Sequence, residues 1–440
     1  MAETGSKVKS LGLLEVIAIG IGGMVGGGIF AVLGLAASSA HGGTPVAFML
    51  AGIVALLTSY SYAKLSTAYP SRGGTVEFLG QAFGTGLFTG GMNVLLLLSY
   101  VVMLSLYSYA FGSYGATFLA KNMQVIGKHL LISGVIVFFT LLNIIGAKAV
   151  GKAEKWIVLL KLSILIFFIF VGFKSINTAY LSPATWTSPA KLIAGGMIIF
   201  LAYEGFELIA NTAEDIKNPN KNLPLAYYIS IIFVILLYVM VSLVAVGNLP
   251  IAKLVVAKDY ALAEAAKPFL GQAGFILIAF AALLSTSSAV NATLYGSTRI
   301  SYIIAKEGEL PRFLEDKIWN RPIEGLLITS LLTLLIANLF DLSSISLMGS
   351  AGFLIVFAMV NTANFKLHKK TKSNKWISLL GMLTCFSALT LLVRAEVINP
   401  LKITFLVGMI VVSFAVESIY RALTGREIKI KYRSIRHPVS

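Results

Sequence analysis

The stretch Gly20-Ile21-Gly22-Gly23-Met24-Val25-Gly26-Gly27-Gly28-Ile29-Phe30 decides how this 440-residue chain folds. It lies in an apolar run over about 12–38, and a bilayer crossing takes roughly 20 mostly apolar residues. Six glycines in positions 20–28 cannot hold a continuous helix when each costs roughly 1 kcal/mol relative to alanine. Tight helix packing is the competing use of glycine in a membrane. Clustering at mid-span favours unwinding, and irregular backbone at that depth is tolerated only where it lines a cavity. Freed N–H groups near Gly26, Gly27 and Gly28, at the start of a second half-helix, suit a carboxylate. The string Gly26-x-Gly28-x-x-Ala31 also fits a dinucleotide fingerprint, but no strand precedes it and the match is set aside.

A second interruption follows about 180 residues later. Gly195-Gly196 and then Phe200-Leu201-Ala202-Tyr203-Glu204-Gly205-Phe206-Glu207 place two carboxylates and glycines inside another apolar run. Paired interruptions in the two halves of a hydrophobic chain point to a transporter's binding site.

Composition agrees. The chain is 57% apolar and 12% charged with a mean hydropathy of +0.86, against roughly 45–50% and 25% for soluble domains. It has too little polar surface for a soluble enzyme, a disordered chain or a collagen-like fibre. Twelve spans are expected, at about 12–38, 44–68, 87–119, 130–147, 153–173, 191–214, 223–247, 272–304, 323–340, 345–366, 376–395 and 401–423. The fold class is therefore all-α integral membrane, and continuously apolar runs exclude barrel strands. Spans 1–5 (12–173) and 6–10 (191–367) form two inverted repeats, each opening with a broken helix, and spans 11 and 12 (376–423) are appended. The first run exceeds a signal-peptide core and lacks a small-residue cleavage site, so it reads as span 1.

Of the 35 Lys and Arg, 24 fall in the N-tail (1–11), the C-tail (424–440) and the loops on their side, nine fall opposite, and Lys161 and Arg299 lie within spans. That asymmetry places both termini in the cytoplasm of a multi-pass plasma-membrane protein. The +16 net charge is then a membrane-surface feature, with no nucleic acid partner expected. Cys385 is an apolar-run thiol with no disulfide partner, and His41, His129, His368 and His437 are scattered without metal-ligand spacing.

Several motifs together resemble the amino acid–polyamine–organocation transporters. They are Gly22 to Phe30, Tyr69-Pro70-Ser71-Arg72-Gly73-Gly74-Thr75, Tyr203 to Glu207, and Glu214-Asp215-Ile216-Lys217-Asn218-Pro219-Asn220-Lys221-Asn222-Leu223-Pro224. Proton-coupled members are the nearest in pattern, through Gly151-Lys152-Ala153-Glu154 with Lys161, Ala265 to Gly271, and Ser287-Ser288-Ala289 with Asn291-Ala292-Thr293. The resemblance implies the five-plus-five fold shared with sodium-coupled neurotransmitter transporters. It implies substrate contacts at Val25, Gly26, Gly27 and Gly28 for a carboxylate, and at Leu201, Ala202 and Glu204 for an amine. It also implies that Lys161 fills a cation site with its own charge, near the carbonyls around Gly22 and the hydroxyls of span 8.

Lys161 is the most informative single residue. It lies six residues beyond Lys155, about 9 Å at 1.5 Å per residue, and a buried lysine in a span calls for a partner or a role. Snorkelling to the interface is the competing reading. Among Ser285, Thr286, Ser287 and Ser288, Ser285 and Ser288 share a face at i and i+3, while such hydroxyls commonly bond their own helix. Glu207 reads equally as scaffold or proton site. Glu204 departs from the apolar residue usual in the family and leaves a cationic substrate range open. Leu201 and Ala289 are small enough for a roomy pocket. Arg72, Lys217, Glu214 and Asp215 read as gate or solvated loop charges.

The expected function is import of amino acids by proton symport through alternating access, with protons as coupling ion and no other cofactor. Exchange or cationic amino acid transport without strict proton coupling, and nutrient sensing on a transporter fold, stand as alternatives. Sodium coupling conflicts with Lys161, no nucleophile or metal constellation suggests an enzyme, and repeated pore rings of a channel are missing. Oligomeric state is left open.

Overall fold

The computed structural model describes residues 11–145, 150–306, 310, 323–397 and 399–424. The two charged tails, apart from Leu11 and Thr424, and the loop cations Lys148, Arg312, Lys317 and Arg321 lie outside the described residues, as do the side chains of Lys152 and Lys155.

Among the described residues the chain is helical, with two isolated bridges as its only extended pairing. Among the described residues nine helices are long and apolar enough to cross a membrane, eleven spans result if each of two bent helix pairs counts as one, and the shorter apolar helix Ile323–Leu339 stands where the ninth of the twelve expected spans falls. Span 1 is Leu13–Met24 and Gly28–Ala40, bent by 45°, and span 6 is Pro189–Ile198 and Phe200–Asp215, bent by 47°. Span 2 is Thr44–Ala68, span 3 Leu87–Ala116, span 4 Gln124–Ile145, span 5 Val150–Gly172 and span 7 Pro219–Asn248. Span 8 is the part of the helix Ala261–Lys306 beyond Gly271, whose φ of +63° breaks it. Span 9 is Ile323–Leu339, span 10 Leu342–Lys366, span 11 Lys375–Glu396 and span 12 Pro400–Thr424.

Packing partners repeat across the two halves. Spans 2 and 7, 3 and 8, and 4 and 9 pack as equivalent pairs. The first half of span 1 lies on span 7 as the first half of span 6 lies on span 2. Span 5 packs on 8 as span 10 packs on 3. Because five crossings are an odd number, the second set starts from the opposite side, and the repeat is inverted. Span 11 covers span 10 and span 12 covers span 3.

Burial follows that order. Spans 3 and 10 are enclosed on nearly all sides, whereas spans 4, 5, 11 and 12 turn Phe138, Phe170, Leu383 and Val411 outward. Apolar side chains facing outward are stable where lipid replaces water.

Several helix ends differ from the apolar runs. Span 4 begins six residues early, taking Lys128 and His129 into the helix, and span 5 begins at Val150. Polar residues do not stop a helix that has reached the headgroup region, so composition underestimates these lengths. A further helical stretch, 261–270, precedes span 8, with Lys267 and Glu264 paired at 2.8 Å on its surface.

Candidate functional site

The glycine run breaks where mid-span clustering places the break. The first half-helix stops at Met24, the Val25 N–H still donates to Ile21 at 2.8 Å, and the next helix opens at Gly28 with Gly27 as its cap. Among the described residues no acceptor meets the N–H groups of Gly26 or Gly27. In span 6, Glu204 is extended and Gly205 takes φ +118°. A Cβ on Gly205 would lie 2.7 Å from the Met24 nitrogen, and one on Gly23 would lie 2.8 Å from the Gly205 oxygen. The two breaks therefore touch backbone to backbone, an approach only glycine permits.

Neighbouring spans satisfy much of the freed backbone. Tyr238 of span 7 donates its hydroxyl to Met24 O at 2.7 Å and reaches Ala202 O at 3.2 Å, joining both breaks. Ser346 and Ser350 of span 10 donate to Ile198 O, and Ser350 accepts the Leu201 N–H at 3.1 Å. Leu201 O accepts the Glu204 N–H at 3.2 Å. Sequence reasoning missed these three side chains. The available signal was a hydroxyl inside an apolar span, which must find a partner when buried.

Lys161 is the central residue of Val150–Gly172, roughly 16 Å from its start at 1.5 Å per residue. Its side chain is 1% exposed and its ammonium donates to Gly22 O at 3.4 Å, so it points inward rather than snorkelling to an interface. From span 8, Ser285 donates to Val25 O at 3.1 Å and to Gly26 O. Thr286 and Ser287 bond their own helix at Ala282 and Leu283, and Ser288 is buried one turn beyond Ser285. Lys161, Gly22 and Ser285 thus converge on the first break.

The two acidic residues of span 6 differ. Glu207 accepts the Gly205 N–H at 2.7 Å and the Tyr100 hydroxyl at 3.0 Å, bracing the second break against span 3. Glu204 is equally buried, with the Glu207 side chain as its interacting neighbour and no side-chain hydrogen bond of ordinary geometry to any other described residue. The Tyr107 hydroxyl on span 3 has no hydrogen-bond partner among the described residues. The Tyr107 ring lies against Gly26 and Gly27, while Ala289 faces Gly26, Thr286 faces Gly27 and Ala202 faces Gly28. Val25, Leu201 and Ala202 are fully or almost fully buried.

Both mouths carry ion pairs. Arg72, after span 2, reaches both oxygens of Asp215 at 3.0 and 3.2 Å and lies 3.6 Å from Glu214. Leu11 pairs with the same segment through Asp215 O and the Lys217 N–H. At the other mouth Lys128 pairs with Asp259 at 3.0 Å and lies over the Tyr109 ring at 3.8 Å. The Arg72 and Asp215 charges are thus paired rather than only solvated. No group of His, Cys, Asp and Glu suited to a metal occurs among the described residues.

Residues 11–419 match the family model described as amino acid permease. An uncharacterised protein of Methanocaldococcus jannaschii is 39% identical, covering 96% of this chain and 97% of its own. The inner membrane transport protein YbaT of Escherichia coli is 35% identical over 85% of this chain and 87% of its own. A mitochondrial cationic amino acid transporter 3 of Arabidopsis thaliana is 30% identical over 80% and 61%. The chain belongs to the amino acid permeases of the amino acid–polyamine–organocation superfamily, as a multi-pass membrane transporter of amino acids and not an enzyme.

Proposed function

We propose that this permease imports amino acids across the plasma membrane by proton symport, with both termini in the cytoplasm. The observation that carries the reading is Lys161, a buried ammonium donating to the carbonyl of Gly22 at the first break. A lysine can release its proton, whereas a metal cation would meet its positive charge at that position. The substrate's carboxylate is read at Val25, Gly26, Gly27 and Gly28 and its amine at Leu201, Ala202 and Glu204. Loss of the Lys161 contact on deprotonation would release span 5 from span 1, favouring the second of two states. The contact asymmetry of charges, 24 Lys and Arg against nine, supports the orientation.

Purified protein in liposomes tests this. Labelled amino acid should accumulate when the outside is made acidic, with no requirement for sodium. Strict sodium dependence, or counterflow that no pH gradient can convert into accumulation, would overturn proton symport.

A further inference from the structure

The loop between spans 10 and 11 gathers cations and no anions. Lys366, Lys369, Lys370, Lys372 and Lys375 are all exposed, and the stretch 342–395 holds no Asp or Glu. None of the five ammonium groups pairs with a carboxylate among the described residues. Lys64 of span 2 joins them: its ammonium lies 5.9 Å from the centre of the Tyr60 ring, and the Tyr60 hydroxyl accepts the Asn374 N–H at 2.6 Å. Like charges this close repel, and a slack loop would spread them. This loop is held. Asn364, buried near the end of span 10, accepts from Thr371 at 2.8 Å and from Ser373 at 3.2 Å, and its amide donates to Ser378 of span 11 at 2.8 Å. Lys372 turns the chain at φ +49°, so a left-handed position that glycine or asparagine adopts more readily carries a cation instead.

Beside the lysines, span 11 turns Trp376, Leu380 and Leu383 outward, at i, i+4 and i+7 of one helix face. The Lys375 ammonium lies 5.1 Å from the centre of the Trp376 ring, where the cations meet this apolar strip. Tryptophan at the end of a span marks headgroup level, so the strip runs from the headgroups into the hydrocarbon. We infer that this loop, with Lys64, is a binding site for an anionic phospholipid, the lysines taking its phosphate-bearing headgroup and the 376–383 face taking an acyl chain. The bias of loop lysines to one membrane face asks only for their charge; it requires neither the Asn364 bonds nor the strip below. A soluble acidic partner would meet the lysines but not the strip, which lies in lipid. Each lysine near an anionic surface strengthens binding about fivefold, on the order of 1 kcal/mol.

Tryptophan quenching tests the site. The full-length protein is placed in bilayers that mix phosphatidylcholine and phosphatidylglycerol, with brominated chains on one lipid or the other. The quenching of Trp376 is the part that Trp376→Phe removes. Phosphatidylglycerol should occupy the site at least about fivefold better than phosphatidylcholine, and high salt should shrink that preference. Lys369→Gln, Lys370→Gln and Lys372→Gln together should bring it to within about twofold of parity. Lys217→Gln with Lys306→Gln, exposed lysines of the same membrane face outside this loop, should leave it intact. Thermal melting checks that each variant is folded, and the parent's preference and its salt dependence decide the matter if one is not. Equal occupancy by the two lipids in the parent, or a folded triple variant with the parent's preference, overturns the site. An equal loss in the Lys217 and Lys306 variant overturns it as well, by showing a general effect of charge. So does displacement of the lipid by glycerol 3-phosphate in solution, which would assign the lysines to a soluble phosphate compound.

Discussion

The phenol of Tyr238 donates to the carbonyl oxygen of Met24 over 2.7 Å. Met24 closes the first half of span 1, so a side chain of span 7 meets the end of the broken helix. Because the same hydroxyl reaches Ala202, removing it loosens both breaks together. Tyr238→Phe should cost about 1–3 kcal/mol, the usual penalty for buried polar groups left unpaired. Its melting temperature should fall and its counterflow rate should fall more than its substrate affinity. An unchanged rate in the folded variant would show that this tie plays no part in transport.

Gly205 and Gly84 both have positive φ, +118° and +77°, but only Gly205 meets backbone. A Cβ at Gly84 finds open space. With ψ at −164°, Gly84 lies in a region essentially reserved for glycine, so Gly84→Ala should cost about 1–3 kcal/mol of conformational strain and retain transport. Gly205→Ala adds a collision with Gly23 and Met24 and should give no monodisperse, transport-competent protein. Similar melting curves for the two variants would contradict the contact between the breaks.

The breaks were legible because glycine clusters and mid-span carboxylates violate what a lipid-spanning helix tolerates. Lys161 and Ser285 stood out for the same reason. Tyr107, Tyr238, Ser346 and Ser350 did not. Spans 3 and 10 are buried on most sides, and span 7 turns apolar Ile232 and Leu236 outward, so no apolar stripe marks which face meets the breaks. The different tasks of Glu204 and Glu207 were equally hidden, because they depend on Tyr100 and the Gly205 N–H rather than on spacing. Helix ends such as Gln124 and Val150 escaped because apolar content ends before the helix does.

Asp341, in the turn between spans 9 and 10, caps span 10 by accepting the N–H groups of Ser343 and Ser344 at 3.3 and 3.2 Å. Partial burial works to raise its carboxyl, but the Ser344 hydroxyl and N–H, and then Lys258 and Lys402, hold it below the ordinary value. A carboxylate depressed on folding contributes stability above its unfolded pKa, about 3.9, and loses it as pH falls through the folded value. Asp341→Asn keeps a cap and should flatten thermal stability below about pH 4. Asp341→Ala should lower stability by about 1 kcal/mol at neutral pH. If Asn and parent lose melting temperature equally on acidification, the depressed carboxyl is not Asp341.

Lys161 is buried at the centre of span 5 and bonds the break through Gly22 O at 3.4 Å, while Ser285 holds Val25 and Gly26 from span 8. Span 5 and span 8 thus grip one irregular segment from two sides. If the ammonium is the coupling group, its proton decides whether the span 5 contact exists, and the Ser285 contact remains either way. Lys161→Ala removes the switchable contact and should abolish accumulation against a gradient under an imposed pH difference, with counterflow retained. Lys161→Arg keeps a permanent charge, since a guanidinium does not release its proton at any useful pH. It should slow counterflow as well, by holding one state. Measuring both quantities in the same vesicles separates coupling from binding: a damaged site lowers both in Lys161→Ala, whereas lost coupling lowers accumulation alone. A Lys161→Ala protein that still concentrates substrate like the parent would remove Lys161 from coupling and leave Glu204 or Glu207 to carry the proton.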